Sequence, residues 1–343
     1  MPLFSSLQHP ILQAPMAGAQ GSALALAVSN AGGLGALPCA MLAPDALRAE
    51  LETLRAGTAR PYNLNFFCHR RPQPDARRED AWRAALAPYY REAGLDPHAE
   101  AAVVQRAPFD AEVAAIVGPY RPAFVSFHFG LPDADLLAQV RGWGSTILAS
   151  ATTVEEARWL EARGVDAIIA QGLEAGGHRG HFLSTDLTRE AGLFALLPRI
   201  VRAVHVPVIA AGGIADARGV AAALALGAAA AQVGTAWLLC PEATTQPLHR
   251  AALEDESAGH TALTNLFSGG VARGIVNRLM REIGPLSPLA PAFPLAGRAL
   301  APLREQAERN GRNDFSPLWA GQNTGGCRAI PAAALLRELA GAA

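Results

Sequence analysis

The side chains best suited to chemistry lie in a glycine-rich stretch near the middle of the chain. Glu174, His178 and His181 follow a strand-length apolar run, residues 167–170, with two adjacent glycines between the glutamate and the first histidine. An imidazole changes charge near neutral pH and can hold or move a proton there. The glycines let backbone N–H groups approach a ligand closely, because no Cβ intervenes. A buried strand that ends in such a loop is typical of the reactive face of an α/β barrel.

Two further glycine-rich turns predict a phosphate-binding site. The apolar run 208–211 ends in two glycines at 212–213, and the run 230–233 is followed by Gly234 and Thr235. In parallel barrels, the loops after the seventh and eighth strands commonly bind phosphate through backbone N–H groups and a helix N-terminus. The alternative is that these glycines only form tight turns.

The composition excludes several classes of chemistry. All 29 basic residues are arginine, so the chain has no lysine for a Schiff base or for a Walker-type phosphate loop. Any phosphate must therefore be held by backbone N–H groups, hydroxyls or arginine. The formal net charge is −1, without the clustered positive charge that a nucleic-acid surface needs.

The cysteines and the charge pattern predict a cytoplasmic protein. Four cysteines are far apart and form no C-x-x-C pair: Cys39, Cys68, Cys240 and Cys327. We expect them to be reduced thiols. The first positive charge is Arg48, so we expect no secretory signal peptide. Residues 219–240 carry no charge, but their alanine-rich and glycine-interrupted pattern predicts a helix, a turn and a strand instead of a bilayer span.

Strand-length apolar runs alternate with helix-length segments along most of the chain. Eight runs are the predicted strands: residues 11–14, 34–37, 62–67, 123–127, 146–149, 167–170, 208–211 and 230–233. Short continuous apolar runs are typical of parallel strands that are covered on both faces. Eight of them with helices between predict an α/β fold, the closed (β/α)8 TIM barrel.

Two segments depart from this alternation. Residues 68–120 are rich in Arg, Pro and Glu, and they predict a helical insertion after the third strand. Residues 241–343 follow the eighth strand and predict a helical and proline-rich cap. We therefore expect a barrel over residues 1–240, including the insertion, and a C-terminal cap over 241–343 that packs beside the barrel mouth. Two residues of this cap, Trp319 and Gln322, are expected either at the mouth of the barrel or packed on the protein surface.

Four short motifs follow or overlap predicted strands in the right order. They are Q-A-P-M-A-G at 13–18, N-L-N-F-F at 63–67, S-F-H-F-G at 126–130 and Q-G-L-E-A-G-G-H at 171–178. With the double phosphate loop, they resemble the nitronate monooxygenase family, formerly 2-nitropropane dioxygenases, in its class I bacterial and fungal form. The resemblance covers most of the chain. It implies a barrel that binds FMN and oxidises alkyl nitronates, such as propionate 3-nitronate, with O2 to a carbonyl compound and nitrite.

The resemblance also implies roles for single residues. His178 matches the family's catalytic histidine, and His128 would face the nitro group of the substrate. Met16, also expected to contact the substrate, would line the flavin pocket. The residues implied for FMN binding are Asn65, Gln171, Gly176, Gly213, Gln232, Val233, Gly234 and Thr235. The chemistry fits these types, because imidazole can bind the nitronate oxygens or accept a proton. FMN supplies the electron acceptor. No metal is expected.

Several alternatives stay open at the level of sequence. FMN-dependent enoyl or quinone reductases that use NAD(P)H share this barrel and these loops. A flavin-free lyase or isomerase barrel would need carboxylate bases, for which Glu174 and Asp216 are candidates. Glu174, His178 and His181 are also metal-ligand types, although their spacing matches no zinc signature. His128 and Met16 are alternatively core residues. The expected partners are small molecules only, without nucleic acid or membrane, for a monomer or homodimer.

Overall fold

Eight parallel strands form the centre of the molecule. The computed structural model describes residues 3–98 and 107–341. Within them, the strands in chain order are β1 (Ile11–Gln13), β2 (Gly35–Pro38), β3 (Tyr62–Phe67), β4 (Phe124–His128), β5 (Thr146–Ala151), β6 (Ala167–Gln171), β7 (Gly177–His178), β8 (Val208–Ala211), β9 (Ala230–Val233), β10 (Thr261–Thr264) and β11 (Ala272–Ile275). All of these except β7, β10 and β11 belong to the parallel sheet.

The parallel sheet closes into a barrel. Its strand order is β1-β9-β8-β6-β5-β4-β3-β2, and a parallel bridge between Leu12 and Leu34 joins the two ends. Two backbone hydrogen bonds complete the closure, from Gln13 N to Leu34 O at 2.9 Å and from Leu34 N to Ile11 O at 3.0 Å. The predicted TIM barrel is confirmed, and each of the eight predicted runs overlaps one of these strands.

Helices connect the strands and cover the outside of the barrel. Within the described ranges they are α1 (Ser22–Asn30), α2 (Pro44–Gly57), α3 (Ala76–Ala93), α4 (Ala111–Val117), α5 (Ala134–Gly142), α6 (Val154–Glu161), α7 (Leu193–Ala203), α8 (Ala217–Ala225), α9 (Pro247–Glu254), α10 (Arg278–Ile283), α11 (Gly297–Arg309) and α12 (Ala332–Leu339). At the start of α6, the Thr153 side chain accepts a hydrogen bond from Glu156 N at 3.2 Å, as an N-cap does. No helix in these ranges combines the length and the apolar character that a bilayer crossing requires.

Successive side chains on each barrel strand face opposite sides of the sheet. On β9, Ala230 packs with the residues inside the barrel, whereas Ala231 and Val233 pack against the surrounding helices. Apolar side chains fill the interior at the amino ends of the strands. They include Phe4, whose ring stacks on Phe124 with centroids 6.1 Å apart. This packing closes one end of the barrel and leaves the carboxyl ends of the strands for a site.

The segment predicted as an insertion, residues 68–120, contributes two helices with different neighbours. The helix α3 packs against α11, with Trp82 Nε1 donating to Ala296 O at 3.1 Å and Tyr90 Oη donating to Ala299 O at 2.6 Å. The helix α4 packs against α2 and α5 in the ring of barrel helices. Residues 99–106 of the predicted insertion lie outside the described residues. The bounds of the insertion stay a prediction.

The C-terminal segment, residues 241–341, reaches both the barrel mouth and the ring of helices. β10, β11 and β7 form a small antiparallel sheet, in which Ala272 pairs with His178 and Arg273 with Gly177. The last helix, α12, packs instead against α1 and α8 on the outside of the barrel. The chain thus returns to the barrel ring at its end, and a domain boundary at residue 240 stays a prediction.

Candidate active site

A cavity of about 640 Å³ opens at the carboxyl ends of the barrel strands. This volume is in the ordinary range for small-molecule and cofactor sites. The cavity lining includes every residue that the sequence assigned to catalysis, substrate or cofactor except Val233. These residues are Met16, Asn65, His128, Gln171, Gly176, His178, Gly213, Gln232, Gly234 and Thr235. Strand ends and loops far apart in sequence therefore meet at one site.

Val233 faces away from the cavity. Its side chain is fully buried between the barrel and the helices, because it follows the inward-facing Gln232 and side chains alternate along a strand. Its carbonyl accepts hydrogen bonds from Ala14 N at 2.7 Å and from Trp237 Nε1 at 2.9 Å. Val233 therefore anchors the end of β9, and its side chain does not line the site.

His178 lies at the cavity in β7, the strand of the small antiparallel sheet that follows the carboxyl end of β6. Its Nε2 is 2.8 Å from the Oγ of Ser268, which is only 1% exposed. Aromatic rings flank the imidazole, with the centroids of Phe293 and Trp319 at 5.1 and 5.3 Å from its own. The C-terminal segment thus helps to set the position of the imidazole.

A buried arginine fixes the backbone of residues 172–181, the loop after β6 that contains His178 and His181 and is here called the histidine loop. Arg179 is 0% exposed, and its guanidinium donates to Gly172 O at 2.8 Å, Gln171 O at 2.9 Å and Glu190 Oε2 at 2.7 Å. The other oxygen of Glu190 is 2.9 Å from His181 Nδ1. Burial raises the pKa of Glu190, but hydrogen bonding to His181 and the charge of Arg179 outweigh burial, so the pKa lies below its ordinary value. The loop is therefore held from inside by an ion pair.

Two side chains, one from β6 and one from β4, bind the carbonyl of His178. Gln171 Nε2 donates to it at 3.0 Å, while Gln171 Oε1 accepts from Gly180 N at 2.7 Å. His128 Nε2 is 3.1 Å from the same carbonyl, and His128 Nδ1 is 3.0 Å from Ser150 Oγ. Because a carbonyl only accepts, we assign the His128 proton to Nε2, and Nδ1 accepts from the Ser150 hydroxyl.

His128 is a neutral residue that supports the histidine loop. Burial lowers its pKa to about 4, so the imidazole is uncharged at neutral pH. Both ring nitrogens are engaged within the protein, which leaves the carbon edge of the ring for contact with a ligand. The sequence placed His128 opposite the nitro group of a substrate, and that role stays a prediction.

The two glycine-rich turns form a backbone surface at the cavity. Gly213 has a φ of +69°, and Gly234 precedes a 3-10 turn, Thr235–Leu239. A Cβ added at Gly234 would meet one atom, Ala14 Cβ at 3.4 Å, so there is open space beside this glycine. The first N–H groups of a helical turn have no partner within it, which favours a bound anion.

Gly176 permits a close backbone approach between the histidine loop and the C-terminal segment. A Cβ at this position would lie 2.5 Å from Gly321 N. That N–H donates to Thr235 Oγ1 at 2.9 Å, and the next N–H, of Gln322, donates to Glu174 O at 2.9 Å. Gly321 and Gln322 therefore connect the glycine turn after β9 to the histidine loop.

The glutamate and the histidines of the loop do not converge on one point. The Glu174 carboxylate accepts from the N–H at the start of α7 at 2.8 Å, whereas His178 and His181 contact Ser268 and Glu190. Across residues 3–98 and 107–341, no group of three or more His, Cys, Asp or Glu side chains is placed to hold a metal ion.

Sequence analysis missed the part of the site that comes from the C-terminal segment. Trp319, which the sequence left open, lines the cavity and contacts the His178 ring. Thr245 and His249 also line the cavity, and Ser268 binds His178. The two glycines that follow Ser268 are a local turn signal, but no sequence pattern relates that turn to a histidine 90 residues away.

The fold and the site define a class of protein, a (β/α)8-barrel enzyme. Its cavity is large enough for a cofactor and is lined by two glycine-rich turns and a histidine. A sequence model of the family described as nitronate monooxygenase matches residues 2–341, and the chain belongs to this family. Its members are flavin-dependent oxidoreductases. The predicted resemblance is confirmed.

Known proteins are similar over nearly the whole chain. The nitronate monooxygenases of Paraburkholderia phytofirmans and Pseudomonas aeruginosa are each 43% identical over 335 residues, which are 97% of this chain and 92% and 95% of theirs. The solved nitroalkane oxidase from Streptomyces ansochromogenes is 39% identical with a TM-score of 0.89, covering 99% of this chain and 97% of that one. FabK from Thermotoga maritima is 27% identical with a TM-score of 0.73, covering 98% and 93%.

Proposed function

We propose that this protein oxidises alkyl nitronates with O2, through a bound FMN, to a carbonyl compound and nitrite. The observation that carries the proposal is the imidazole of His178 at a cavity that also contains the glycine turns at Gly213 and Gly234. The relatives named nitronate monooxygenase at 43% identity and the nitroalkane oxidase at 39% support it.

The residues present fit the phosphate of FMN. The chain has no lysine, so the phosphate would be held by backbone N–H groups at Gly213 and Gly234 and by the Thr235 hydroxyl. The open space beside Gly234, where a Cβ would meet only Ala14, allows that close approach. Gln232 would contact the cofactor from inside the barrel, with Val233 fixing the strand end behind it.

The residues at the neighbouring strand ends fit the flavin ring. Asn65 and Gln171 line the cavity. Asn65 is oriented by a hydrogen bond from its Nδ2 to Ser126 Oγ at 2.9 Å, and Gln171 by its bonds to His178 O and Gly180 N. The backbone at Gly176 would contact the ring from the histidine loop. Met16 lines the cavity from the loop after β1 and offers an apolar surface to the flavin and the substrate.

When bound, FMN would supply the electron acceptor for the oxidation. The protein's own groups orient the nitronate and balance its charge. His178 would donate a hydrogen bond to a nitronate oxygen, or accept the α-proton of a neutral nitroalkane. His128 would contribute the carbon edge of its ring. The rings of Phe293 and Trp319, which flank the imidazole, would limit the space for water beside it.

Anaerobic flavin reduction tests the proposed function. We expect the flavin absorbance of the purified protein to bleach on addition of propionate 3-nitronate and to stay unchanged on addition of NADH. In air, the same nitronate should release nitrite. Rapid bleaching by NADH would favour the nicotinamide-dependent reductase instead. A protein that purifies colourless and binds no added FMN would contradict both.

A variant of the histidine tests its role. We expect His178→Asn to lower nitronate turnover at least about a hundredfold, the scale of general acid–base contributions, while FMN stays bound. His205→Asn is a matched control, because the His205 side chain is 99% exposed. Unchanged turnover in His178→Asn would remove this residue from catalysis.

We further propose that the protein acts in the cytoplasm, on small molecules alone, as a monomer or homodimer. Its four cysteines are all free, which suits a reducing compartment. Light scattering of the purified holoenzyme would decide the oligomeric state, and a trimer or larger assembly would contradict this part of the proposal. Cell fractionation would decide the compartment.

A further inference from the structure

One side chain with a permanent positive charge lines the cavity. The chain has no lysine, and among the described residues that line the cavity Arg304 is the single arginine. Propionate 3-nitronate carries two negative charges, one on the nitronate group and one on the carboxylate. A charged group in a cavity costs free energy unless an opposite charge or hydrogen-bond donors balance it. The carboxylate therefore needs a partner, and Arg304 is the cation available for it.

Arg304 reaches the cavity through its side chain. It lies on α11 one turn before Glu308, on the same face of the helix, and both residues line the cavity. Side chains surround the backbone of a helix, so they are the parts that reach a neighbouring cavity. Leu300, Leu303 and Ala307 fix the helix, because they are buried in the core that α11 shares with α3. The Arg304 side chain is 47% exposed, as expected for a residue at the rim.

Glu308 pairs with only one side of the guanidinium. Its Oε1 lies 3.2 Å from Arg304 Nε and also accepts from Ser316 Oγ at 2.7 Å. Within the parts of the chain that the structure describes, neither Nη group of Arg304 makes a hydrogen bond. The end of a guanidinium formed by Nη1 and Nη2 matches the two oxygens of a carboxylate. An anion bound at that end is nearer to the guanidinium than to Glu308, so attraction exceeds repulsion.

One short segment connects this arginine to the histidine of the site. Residues 316–319 all line the cavity. Ser316, at the start of the segment, binds Glu308. Trp319, at its end, has its ring centroid 5.3 Å from that of His178. Three residues span at most about 11 Å of chain. A substrate whose nitronate group lies at His178 can therefore extend along this wall toward the guanidinium.

We propose that Arg304 is a specificity-determining residue, which binds a carboxylate of the substrate through the Nη1 and Nη2 end of its guanidinium. This carboxylate is remote from the nitronate group that His178 contacts. The inference rests on the proposed nitronate oxidation and deepens it, because it assigns recognition of the substrate class to one side chain. The preferred substrates are nitronates that carry a second negative charge.

The test compares nitronates of three to six carbons that end in a carboxylate with carboxamides of the same length. For the wild-type holoenzyme, we expect kcat/KM to be at least about tenfold higher with the carboxylate at one or more lengths, the scale of one hydrogen bond between charged groups. The difference should appear in KM and not in kcat, because the carboxylate is remote from the reacting atoms. This comparison needs no variant, so it remains decisive if a variant fails to fold.

Arg304→Gln then assigns the preference to the side chain. It should bring the ratio of kcat/KM for carboxylate over carboxamide to about one or below, because Glu308 then remains without its counter-charge. The variant should fold, since the pair of Arg304 and Glu308 is a partly exposed i,i+4 pair. Arg309→Gln is the matched control. Arg309 is exposed on the same helix outside the cavity lining, and its loss should keep the wild-type ratio.

The outcomes separate the role of Arg304 from the proposed function. Nitrite release with a ratio near one at every length, or with the same ratio in the wild type and Arg304→Gln, would overturn this role and leave nitronate oxidation standing. Weaker FMN retention in Arg304→Gln with an unchanged ratio would assign the arginine to the cofactor and also overturn it. An equal fall of the ratio in Arg309→Gln would assign the preference to the overall charge of the protein instead. Failure of the wild-type protein to oxidise any nitronate would end both proposals.

Discussion

His178 Nε2 lies 2.8 Å from Ser268 Oγ, although the two residues are 90 positions apart in the chain. Ser268 is in turn held by its own turn, because its Oγ is 3.3 Å from both the backbone N and the carbonyl O of Gly270. A barrel loop therefore supplies the imidazole, and the C-terminal segment supplies the hydroxyl that orients it. Activity should depend on both.

Loss of the Ser268 hydroxyl should reduce turnover without loss of the cofactor. We expect Ser268→Ala to lower kcat for nitronate about tenfold, because the imidazole loses one oriented hydrogen bond. Initial rates of nitrite release measure the effect. Ser145→Ala is a suitable control, since that buried hydroxyl binds Pro122 O at 2.6 Å at the opposite end of the barrel. A wild-type kcat in Ser268→Ala would show that the orientation of His178 has another source.

Removal of the Arg179 guanidinium should strongly destabilise the protein. Arg179→Met leaves the buried Glu190 without its ion pair and frees two loop carbonyls. Breaking one side of a buried ion pair costs about 3–5 kcal/mol. Urea unfolding measures this against Arg55→Met, which removes a surface pair with Glu52 and should cost under about 1 kcal/mol. Equal midpoints for the two variants would contradict the structural role of Arg179.

Two glycine-to-alanine changes should separate effects on the fold from effects on the cofactor. Gly176→Ala places a Cβ 2.5 Å from Gly321 N, so the apoprotein should lose stability. Gly234→Ala places a Cβ only 3.4 Å from Ala14 Cβ, an ordinary contact, so apoprotein stability should be retained. The new methyl group would nevertheless occupy the surface assigned to phosphate, and we expect FMN affinity to fall at least about tenfold.

Thermal unfolding of the apoproteins and FMN titration provide the two measurements. Full FMN affinity in Gly234→Ala would remove this glycine from the phosphate site. A stable apoprotein with Gly176→Ala would show that the backbone approach between residue 176 and residue 321 can relax.

The neutral histidines should make the protein less stable in mild acid. His128 and His249 have pKa values lowered by burial to about 4, from 6.5. As pH falls from 6.5 toward 4, the unfolded chain takes up a proton at each histidine that the folded protein does not bind. Folding stability is therefore complete above pH 6.5 and decreases by about 1.4 kcal/mol per pH unit for each histidine within that window.

Urea unfolding of the wild-type protein and of His249→Phe between pH 7 and pH 5 tests this linkage. In the variant, the slope of the free energy of unfolding against pH should be smaller by the contribution of about one proton, because only His128 remains of the two histidines. An identical slope in both proteins would mean that His249 is charged in the folded state or is exposed.

The sequence by itself predicted the barrel, because the evidence for a strand is local. Continuous apolar runs such as 167–170 and 208–211 predict buried parallel strands, and the structure places strands there. Glycine turns at the ends of such strands face one end of any closed parallel barrel, so Gly213 and Gly234 could be placed together without coordinates. His178 belongs to a motif next to a strand end, so the sequence could place it at the same end of the barrel.

The sequence alone could predict, for some residues, which side of a strand the side chain faces. Gln232 and Val233 are adjacent on one strand, and the twofold alternation of strands requires them to face opposite sides. The family resemblance implied that both are cofactor residues. The structure turns the valine side chain into the packing between barrel and helices, and the cofactor role of Val233 stays a prediction. For His128, only coordinates could show that both ring nitrogens are already bound to Ser150 and the His178 carbonyl.

Only the tertiary structure decided what the C-terminal segment contributes. Ser268, Trp319 and the pair Thr245 and His249 reach the cavity from a part of the chain without barrel periodicity. Their positions depend on long-range contacts, such as the pairing of β11 with β7. Apolar periodicity reports whether a residue is buried within its own element, and it carries no information on which distant segment packs against that element. The sequence therefore located the His178 imidazole, and the packing of the C-terminal segment determined its surroundings.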